Sequence, residues 1–443
     1  MNVAIIGNGI AGITAARHIR KLSDHQITVI SYETEHHFSR TALMYVYMGH
    51  MTYGNIKPYE DWFWQKNRID LVNGYVEAID TERQQLAVSG GRTIGYDALI
   101  IATGSKSNKF GWPGQDLQGV QGLYSWQDLQ TMERNTKGIA QGVIVGGGLI
   151  GIEVAEMLHS RHIYTSMLVR EEHYWNNILP VEEADMIGRH IHQQGIDLRL
   201  GSELKKILSD GEGRVMSVLT TDDEEIPCEF VALTAGVSPN IEVVKRSAVE
   251  TGRGVLVNQY FETNIPNIYA IGDCAEFHEP QPLAPKVEQL WYTGKMHGEV
   301  VAQTICGNRT RYNRGVWFNS AKFFDIEYQT YGYVGNKLRE GEATLYWEHP
   351  DGLHSIRINY DAASRHVNGF NLFGIRYRQE VCSRWIREGR TLEYVVQHLG
   401  EANFDPEFFR HYEPEVLKLY NQQNPNHPLP QQRKPGRAMA ESR

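Results

Sequence analysis

The sequence predicts an α/β protein in which helices alternate with parallel strands, completed by a C-terminal α+β domain. The α/β part is predicted by two stretches that repeat each other, VAIIGNGIAGITAARHI and GVIVGGGLIGIEVAEML. Each begins as a short apolar run and continues, after several glycines, into a segment with helical spacing. The α+β part is predicted because TLYWEHPDGLHSIRINYDAASRHVNGFNLFG alternates like an antiparallel meander and precedes the helical stretch EVCSRWIREGRTLEYVVQHL.

The composition is that of a globular protein with several domains. At 443 residues the chain is too long for one core. The formal net charge is −9 with acids and bases interspersed, so we expect no nucleic-acid partner. No apolar run reaches membrane-spanning length, and MNVAIIGNGIAG begins directly as a strand and a turn. We therefore expect no signal peptide, no integral membrane association and a cytoplasmic location.

Neither the cysteines nor the histidines form a metal-binding pattern. Cys228, Cys274, Cys306 and Cys382 stand singly, without a C-x-x-C, which fits a reducing compartment. The eighteen histidines contain no H-E-x-x-H. The expectation from these patterns is that the protein holds no metal.

Each repeat contains the glycine pattern G-x-G-x-x-G. The first glycine permits a tight turn, the second admits a pyrophosphate close to the backbone, and the third lets the helix pack on the strand. One such turn could be a coincidence. Both copies, however, lie between a predicted strand and a helix, and both precede a second apolar strand, ITVI (27–30) or SMLV (166–169). The pattern predicts two Rossmann-like domains with two dinucleotide sites, built from Gly7, Asn8, Gly9, Ile10, Ala11 and Gly12, and from Gly146, Gly148, Leu149, Ile150 and Gly151.

Two later motifs complete a family resemblance. TIGYDALIIATGS (93–105) predicts a strand that ends in a small-residue turn, and TNIPNIYAIGDCAE (263–276) predicts a strand followed by Gly272-Asp273. With these motifs the chain resembles, over about residues 1 to 335, the pyridine nucleotide-disulfide oxidoreductase superfamily. That group includes ferredoxin and rubredoxin reductases, NADH oxidases, coenzyme A disulfide reductases and apoptosis-inducing factor.

The resemblance implies which copy binds which nucleotide. The first copy would bind FAD, against the turn Ala102-Thr103-Gly104 and with Asp273 bonded to the ribitol. The second copy would bind NAD(P)H. The resemblance also implies the domain order: an FAD domain at 1–112 and 236–315, a nicotinamide domain at 113–235, and an interface domain at 316–420 that builds a homodimer. The remaining stretch, 421–443, is rich in proline and glutamine and polar, which predicts a flexible tail. GWPG (111–114) and AGVSPN (235–240) would be the crossings.

Further residues are assigned to the FAD site by the same resemblance. Glu33 is the expected ligand of the adenosine ribose, with a solvated loop acid as the alternative. Arg40 is expected to contact the diphosphate, with a surface arginine as the alternative. Trp291 would lie by the flavin, unless it is an ordinary core residue. Val76, Gly236 and Gly272 complete this candidate site.

The nicotinamide site is predicted from the residues around the second copy. Glu153 is expected near the nicotinamide carboxamide, with a first-turn acid favoured by the helix dipole as the alternative. Arg170 could bind a 2′-phosphate, but Glu171 and Glu172 follow it and would repel that phosphate. NADH is therefore favoured, and NADPH stays open.

The stretch FSRTALMYVYMGHM (38–51) contains no group that could relay electrons as a thiol. Related disulfide reductases carry a cysteine within the stretch matching 41–45, and ferredoxin reductases carry a lysine where Tyr45 stands here. Cys274 could be a redox thiol but is better read as a small buried residue. WFNSAKFFDIEYQTYGYVG (317–335) resembles the start of the interface domain in the NADH-oxidase and coenzyme A reductase branch.

Together these features predict an FAD oxidoreductase that takes hydride from NAD(P)H and passes electrons on without a protein thiol. Glu153 and Tyr45 are its candidate catalytic residues, and a ferredoxin- or rubredoxin-like protein or a small molecule is its acceptor. The alternatives are an NADH oxidase that uses dioxygen or a quinone, and a flavin-bound redox sensor that binds partners.

Overall fold

The computed structural model describes residues 1–404, 407–408 and 410–430. Contacts divide the chain into two units: 1–170 with 196–314, and 171–195 with 315 onward.

The strands are β1 (Asn2–Ile6), β2 (Gln26–Ser31), β3 (Ile69–Asn73), β4 (Val76–Asp80), β5 (Gln85–Val88), β6 (Arg92–Gly95), β7 (Ala98–Ile101), β8 (Ser105–Ser107), β9 (Val120–Gln121), β10 (Gln141–Val145), β11 (Tyr164–Val169), β12 (Asp197–Leu200), β13 (Leu204–Ser209), β14 (Val215–Thr220), β15 (Glu225–Pro227), β16 (Phe230–Leu233), β17 (Val237–Pro239), β18 (Val255–Val257), β19 (Ile268–Ala270), β20 (Ala275–Phe277), β21 (Phe318–Phe323), β22 (Ile326–Gly332), β23 (Glu342–Glu348), β24 (Ser355–Asp361) and β25 (Val367–Phe373). The α-helices are α1 (Ile10–Leu22), α2 (Leu43–Tyr47), α3 (Trp62–Lys66), α4 (Trp126–Asn135), α5 (Leu149–Ser160), α6 (Val181–Gln193), α7 (Trp291–Ile305), α8 (Gln379–Arg387), α9 (Leu392–His398) and α10 (Glu413–Gln423).

The first unit contains two five-stranded parallel sheets of the same design. The strand orders are β19-β7-β1-β2-β3 and β12-β11-β10-β16-β9. In each sheet the strand before the glycine turn is central, with its successor on one side and a later strand on the other. The turn therefore lies where the strand order reverses, which is the position at which doubly wound sheets bind nucleotides. The central strands are buried on both faces, which explains why VAII and VIV read as continuous apolar runs.

A short antiparallel ribbon joins the two sheets. β8 follows the first sheet and β17 follows the second, and they pair from Val237↔Ser107 to Pro239↔Ser105. The remaining small sheets of this unit are β4-β5-β6, β13-β14-β15 and β18-β20. The two segments predicted to connect the domains, 111–114 and 235–240, therefore lie next to or within strands that pair with each other.

The second unit is an antiparallel sheet covered by helices. Its strand order is β21-β22-β25-β24-β23, and α8 packs on β22 and β25. Trp385 of α8 and Val395 of α9 are buried in its core. The helical stretch of the C-terminal region thus packs against the meander, as expected for an α+β domain.

Helix α6 belongs to this second unit and is held there by a buried ion pair. Arg357 on β24 donates from Nε to Glu183 Oε1 at 2.9 Å, and Asn371 Nδ2 donates to Glu183 Oε2 at 2.8 Å. Both members of the ion pair are almost fully buried. A buried acid needs such partners, because leaving it unpaired would cost several kcal/mol, on the order of 3–5.

The predicted tail, 421–443, differs from the structure at its start. Asn421 lies inside α10, its Nδ2 donates to the Leu429 carbonyl at 3.0 Å, and the Leu429 amide donates to its Oδ1 at 2.7 Å. Residues 431–443 lie outside the described residues. No helix in the described part of the chain is long and apolar enough to cross a bilayer.

The predicted fold class is confirmed: two Rossmann-like parallel sheets are followed by an α+β domain.

Candidate active site

In the first glycine turn, the surrounding atoms leave no room for a side chain at the first and last glycines but leave space at the middle one. Gly7 has φ +113°, and a Cβ there would lie 2.1 Å from the Ala102 carbonyl oxygen. A Cβ on Gly12 would lie 2.1 Å from the Gly7 carbonyl oxygen. A Cβ on Gly9 would meet no atom within 4 Å. The middle glycine therefore faces open space, which is where a pyrophosphate would approach the backbone.

The second glycine turn has the same geometry. Gly146 also has φ +113°, and its Cβ would lie 2.9 Å from the Thr234 carbonyl oxygen. A Cβ on Gly151 would lie 2.2 Å from the Gly146 carbonyl oxygen, and one on Gly148 would meet nothing within 4 Å. Leu149 and Ile150 begin α5, as Ile10 and Ala11 begin α1. Both cradles therefore fit a dinucleotide phosphate at a helix N-terminus.

Side chains lock the first turn in place. Asn8 is buried, and its Nδ2 donates to the Thr34 carbonyl at 2.8 Å. His37 Nδ1 lies 2.7 Å from the Asn8 carbonyl oxygen, so this nitrogen carries the proton and donates. Burial lowers the pKa of His37 to about 4, although the bond to Asn8 opposes it. The imidazole is thus neutral at pH 7 and serves as a fixed donor.

The turn Ala102-Thr103-Gly104 lies directly under the first cradle. The Ala102 oxygen fills the place of a Gly7 side chain, and the Ala102 amide donates to the Ile6 carbonyl at 2.8 Å. Thr103 Oγ1 donates to the Asn240 carbonyl at 2.6 Å. Gly104 has φ +68°, and a Cβ there would lie 2.8 Å from the Tyr124 hydroxyl. The small residues are therefore required by close packing.

Asp273 accepts hydrogen bonds from side chains that lie far from it in the sequence. Ser105 Oγ donates to its Oδ2 at 3.1 Å, and the Tyr124 hydroxyl lies 3.4 Å from the same oxygen. Gln289 Nε2 donates to Ser105 Oγ at 2.8 Å. Burial raises the pKa of the Asp273 carboxyl above its usual range, although Ser105 and Arg40 act against it. The carboxylate is held in one position.

The backbone of this turn rests on a second buried group of polar side chains. The Gly272 amide donates to His297 Nδ1 at 3.1 Å, so His297 Nε2 carries the proton and donates to Glu288 at 3.3 Å. Tyr312 donates its hydroxyl proton to the same Glu288 oxygen at 2.7 Å. All three side chains are buried. Their bonds fix the peptide that precedes Asp273.

Glu33 and Arg40, predicted for two parts of FAD, are bonded to each other. Arg40 Nη2 donates to Glu33 Oε2 at 2.7 Å and Nη1 to Oε1 at 2.8 Å. The Trp126 amide also donates to Glu33 Oε1 at 2.8 Å, and the Arg40 guanidinium lies 4.4 Å from the Tyr124 ring centroid. The alternatives of a solvated loop acid and a surface arginine do not describe this half-buried, bidentate pair.

The other residues predicted for the FAD site are spread over separate elements. Val76 is buried at the start of β4, and Gly236 has φ +92° between β16 and β17. Trp291 begins α7 and is 38% exposed, so the alternative that it is a core residue is wrong.

The stretch 38–51 forms a 3₁₀ turn, Arg40–Ala42, and the short helix α2. Tyr45 is half-buried, and its ring stacks on His50 with centroids 6.4 Å apart. Tyr47 is buried, with the Arg161 guanidinium 3.5 Å from its ring centroid. Arg161 in turn pairs with Glu133 at 2.6 Å and 2.8 Å. These contacts hold α2 against the C-terminal end of α5.

Glu153 lies near the N-terminus of the same helix, α5. Within the described part of the chain its carboxylate has no hydrogen-bond or ion-pair partner. Burial, assisted by Glu156, raises its pKa to about 7. A half-buried acid whose pKa is raised and whose carboxylate has no partner among the described residues is typical of functional sites. Arg170 follows β11 and is exposed, and Glu171 is half-buried.

The three buried cysteines are unsuited to relay electrons. All four are free, and Cys228, Cys274 and Cys382 are buried. The Cys274 thiol donates to the Ile101 carbonyl at 3.4 Å, and burial raises its pKa. Burial also raises the pKa of Cys228 to about 12. Cys274 is therefore a small buried residue, and a thiolate is disfavoured.

Sequence reasoning missed the residues that hold the predicted ligands. The Asp273 carboxylate is bonded by Ser105 and Tyr124, and Ser105 is bonded in turn by Gln289. His297 accepts a hydrogen bond from the Gly272 amide, next to Asp273. A usable signal was present only for α7, in WYTGKMHG. A Cβ on Gly298 would lie 2.5 Å from the Ala11 carbonyl oxygen, so this glycine spacing allows α7 to pack closely on α1.

Comparison with known proteins supports one family. The model of the pyridine nucleotide-disulphide oxidoreductase family matches residues 1–298. The assimilatory nitrate reductase electron transfer subunit of Bacillus subtilis (strain 168) is 30% identical over 311 residues, which are 69% of this chain and 39% of that protein. Rubredoxin-NAD(+) reductase of Ectopseudomonas oleovorans is 26% identical over 314 residues, 70% of this chain and 81% of that protein. The chain spans less than half the length of the first curated relatives it matches.

The fold also matches a solved structure. The NAD-dependent persulfide reductase from A. fulgidus superposes with a TM-score of 0.84 at 23% identity, over 96% of this chain and 84% of that chain. FAD and NAD(P)H are cofactors of the matched family, which confirms the predicted cofactor pair. The chain belongs to the pyridine nucleotide-disulphide oxidoreductase family.

Proposed function

We propose that this chain is an NADH-dependent FAD oxidoreductase that passes electrons to a separate acceptor without a protein thiol. One observation carries the proposal: the chain contains two open phosphate cradles of the same geometry, and the stretch beside them, 38–51, holds no cysteine. Two cradles fit two dinucleotides. The absence of a thiol from that stretch removes the disulfide chemistry from which the family takes its name.

In this proposal the first unit holds both nucleotides. Residues 1–112 and 236–315 hold FAD, with its pyrophosphate at Gly9 and its ribitol at Asp273. Residues 113–170 and 196–235 hold the nicotinamide nucleotide at Gly148. When bound, FAD accepts a hydride from the reduced nicotinamide and gives its electrons to an acceptor. The protein binds and orients the two nucleotides and keeps water from the space between them.

Glu153 and Tyr45 are the proposed catalytic residues. Glu153 has no hydrogen-bond or ion-pair partner among the described residues, and its pKa is raised to about 7, so it can hold or release a proton at neutral pH. We propose that it orients the carboxamide of the nicotinamide. Tyr45 stands where related ferredoxin reductases have a lysine, and α2 is braced against α5 by Arg161 and Tyr47. Tyr45 would therefore line the flavin without an ion pair to Glu153.

The choice of NADH over NADPH rests on the residues after β11. Arg170 is exposed and could pair with a 2′-phosphate, but the carboxylates of Glu171 and Glu172 follow it. Two carboxylates repel a phosphate and leave a ribose diol unaffected.

The acceptor is proposed to be a one-electron carrier of the ferredoxin or rubredoxin type. One relative is named a rubredoxin reductase and another an electron transfer subunit, which supports onward transfer between proteins. We further propose that the C-terminal unit builds a homodimer, as the interface domain of such enzymes does, and that the protein works in the reducing cytoplasm, where four unpaired cysteines persist.

Anaerobic titration of the FAD-loaded chain with NADH tests the thiol-free mechanism. We expect bleaching to finish at two electrons per FAD, since a flavin holds two electrons and a disulfide would take two more. Alkylation of the accessible cysteines should leave NADH-dependent dye reduction unchanged, and so should Cys274→Ser. Consumption of four electrons per FAD, with activity lost in Cys274→Ser, would contradict the proposal.

The same preparation separates the alternative outlets. Fast reoxidation of the reduced protein by air would identify an oxidase instead of a carrier-linked reductase. Slow reduction by NADH, followed by a long-lived charge-transfer complex, would identify a redox sensor. Slow reaction with air, together with fast reaction with an added iron–sulfur carrier, is the expected result.

A further inference from the structure

The hairpin between β23 and β24, in the second unit, brings together three metal-binding side chains. Its sequence is EHPDGLHS, and His349, Asp351 and His354 stand on the turn. His349 Nδ1 lies 2.9 Å from Asp351 Oδ2, and His354 Nδ1 lies 2.8 Å from the same oxygen. All three potential ligand atoms lie within 4.8 Å of one another. Two imidazoles and a carboxylate thus converge on one point.

The turn holds these groups in fixed orientations. The Leu353 amide donates to Asp351 Oδ1 at 2.8 Å, which leaves Oδ2 directed at the imidazoles. The ring of Tyr412 lies against both histidines, with centroids 5.4 Å from His349 and 5.1 Å from His354. His349 and His354 keep 15% and 25% of their side-chain surface exposed, so an ion could still reach them.

Hydrogen bonds alone do not satisfy this arrangement. His349 Nδ1 lies 3.2 Å from the Asp351 amide, which can only donate, and 2.9 Å from Asp351 Oδ2, which can only accept when ionised. In either protonation state of Nδ1, one of these two close contacts is unfavourable. A cation between the three ligand atoms would compensate Oδ2 and both Nδ1 lone pairs at once, while the amide can bind water.

We propose that His349, Asp351 and His354 bind one divalent transition-metal ion of the zinc type. Two imidazole nitrogens and one carboxylate oxygen form a donor set that suits Zn²⁺, with a fourth position left for water. Tetrahedral bonds of about 2.0–2.1 Å would place the donors about 3.3 Å apart. The Asp351 oxygen, at 2.9 Å and 2.8 Å from the two histidine nitrogens, is within about half an ångström of that spacing. This proposal is independent of the proposed function.

The expected role of the ion is structural. Zn²⁺ undergoes no redox change, so it would not carry electrons. Tyr412 immediately precedes α10 and its ring contacts both histidines and Trp347 of β23. An ion at the hairpin would therefore fix the two histidines against which Tyr412 packs, and so stabilise the contact between this end of the sheet and the start of α10. The second unit should resist thermal unfolding better with the ion than without it.

Calorimetric titration of the full FAD-loaded chain with Zn²⁺, after chelator treatment, tests the site. We expect one tight Zn²⁺ per chain and a higher unfolding temperature once it is bound. His349→Gln with His354→Gln should remove the tight binding event, and Asp351→Asn should weaken it at least about tenfold. The matched control is His162→Gln with His192→Gln, which removes two exposed histidines elsewhere and should leave the binding unchanged.

FAD content and NADH-dependent dye reduction should stay at the level of the unsubstituted chain in every variant, which shows that the fold persists. If the double variant lost FAD, the comparison would use His354→Gln alone. As a second readout, Co²⁺ should give a ligand-field absorption band in the unsubstituted chain that is lost in Asp351→Asn. The proposal would be overturned if the unsubstituted chain bound no Zn²⁺ tightly. It would also be overturned if Asp351→Asn and His354→Gln bound Zn²⁺ as tightly as the unsubstituted chain does.

Discussion

The two glycine turns have the same backbone but different surroundings. Both have φ +113° at the first glycine and open space at the second. The first turn is surrounded by paired side chains: Asn8 is bonded to Thr34 and His37, and Glu33 to Arg40. In the second turn Glu153 has no hydrogen-bond partner within the described residues.

The difference bears on how each nucleotide is held. Side chains that are already ordered lose little entropy when a ligand binds, so a preorganised site binds more tightly. The first turn fits a cofactor that stays bound through many reactions. The second turn is held by one hydroxyl, that of Thr234, which donates to the Val145 and Gly146 carbonyls, and its acid has no partner among the described residues, as fits a substrate that arrives and leaves.

The largest expected effect comes from placing a methyl group at the third glycine of each turn. Gly12→Ala and Gly151→Ala would each press a Cβ to about 2.1–2.2 Å from a carbonyl oxygen. We expect Gly12→Ala to purify without FAD. We expect Gly151→Ala to keep FAD but to raise KM for NADH at least about tenfold, the equivalent of about 1.4 kcal/mol of binding.

Absorbance of the purified protein measures FAD, and steady-state kinetics measure KM. Gly400→Ala is the control, since a Cβ there meets nothing within 4 Å. Full FAD occupancy in Gly12→Ala would contradict the expectation that the first turn holds FAD and tolerates no side chain at its last glycine.

The next effect concerns Asp273. Asp273→Ala should weaken FAD binding by about 1.5–3 kcal/mol, the value of a hydrogen bond to a charged group, and leave the purified protein only partly loaded. Asp116→Ala, which removes an exposed carboxylate, serves as the control. FAD per chain is measured after denaturation. Undiminished loading of Asp273→Ala through dialysis would remove Asp273 from the site.

A smaller, pH-dependent effect should distinguish Glu153. Its pKa is raised from 4.5 to about 7, so the folded chain binds the proton more tightly than the unfolded chain. The free energy of unfolding should therefore fall by up to about 3 kcal/mol as the pH rises from about 4.5 to 7, and change no further above that. Glu153→Gln should match the unsubstituted chain at pH 5 and exceed its stability at pH 8.

Denaturant unfolding at both pH values checks this prediction. Glu156→Gln is the matched variant on the same helix, and it should recover only part of the difference because Glu156 is the lesser cause of the shift. If Glu153→Gln and the unsubstituted chain show the same stability at pH 5 and at pH 8, the carboxylate is not buried as described.

The smallest effect is expected at Arg170. Arg170→Ala should raise KM for NADPH by less than about tenfold and leave KM for NADH nearly unchanged, because an exposed ion pair contributes about 0–1 kcal/mol. Steady-state kinetics with both nucleotides check this. A lower KM for NADPH than for NADH in the unsubstituted chain would reverse the proposed preference.

Backbone features were predictable from the sequence, whereas side-chain partnerships were not. The glycine turns are dictated by positions that tolerate no Cβ, so a local pattern predicts their geometry. The bond from Ser105 to Asp273, by contrast, joins residues from distant parts of the chain. No local pattern indicates that pairing, and a resemblance carries it over only where relatives share both residues.

The pairing of Glu33 with Arg40 shows the same limit. Each residue was assigned to the FAD site separately, yet their carboxylate and guanidinium bind each other. Similarly, the helix at 181–193 lies within the stretch predicted as the nicotinamide domain, while Glu183 is bonded to Arg357 of the second unit. Charge pairs of this kind depend on how elements pack in three dimensions.

The ribbon of β8 and β17 has a consequence for engineering the chain. The strand that leaves the first sheet and the strand that returns to it are hydrogen-bonded neighbours, and the Asn108 amide donates to the Gly236 carbonyl at 3.1 Å. An insertion whose two ends meet in this way can be replaced at a single place in the host domain, because both of its termini are adjacent there. Graft points at 108 and 236 would let nucleotide preference be transplanted with a substitute that keeps Tyr124, whose hydroxyl lies beside Asp273, and α6, whose Glu183 is bonded to Arg357.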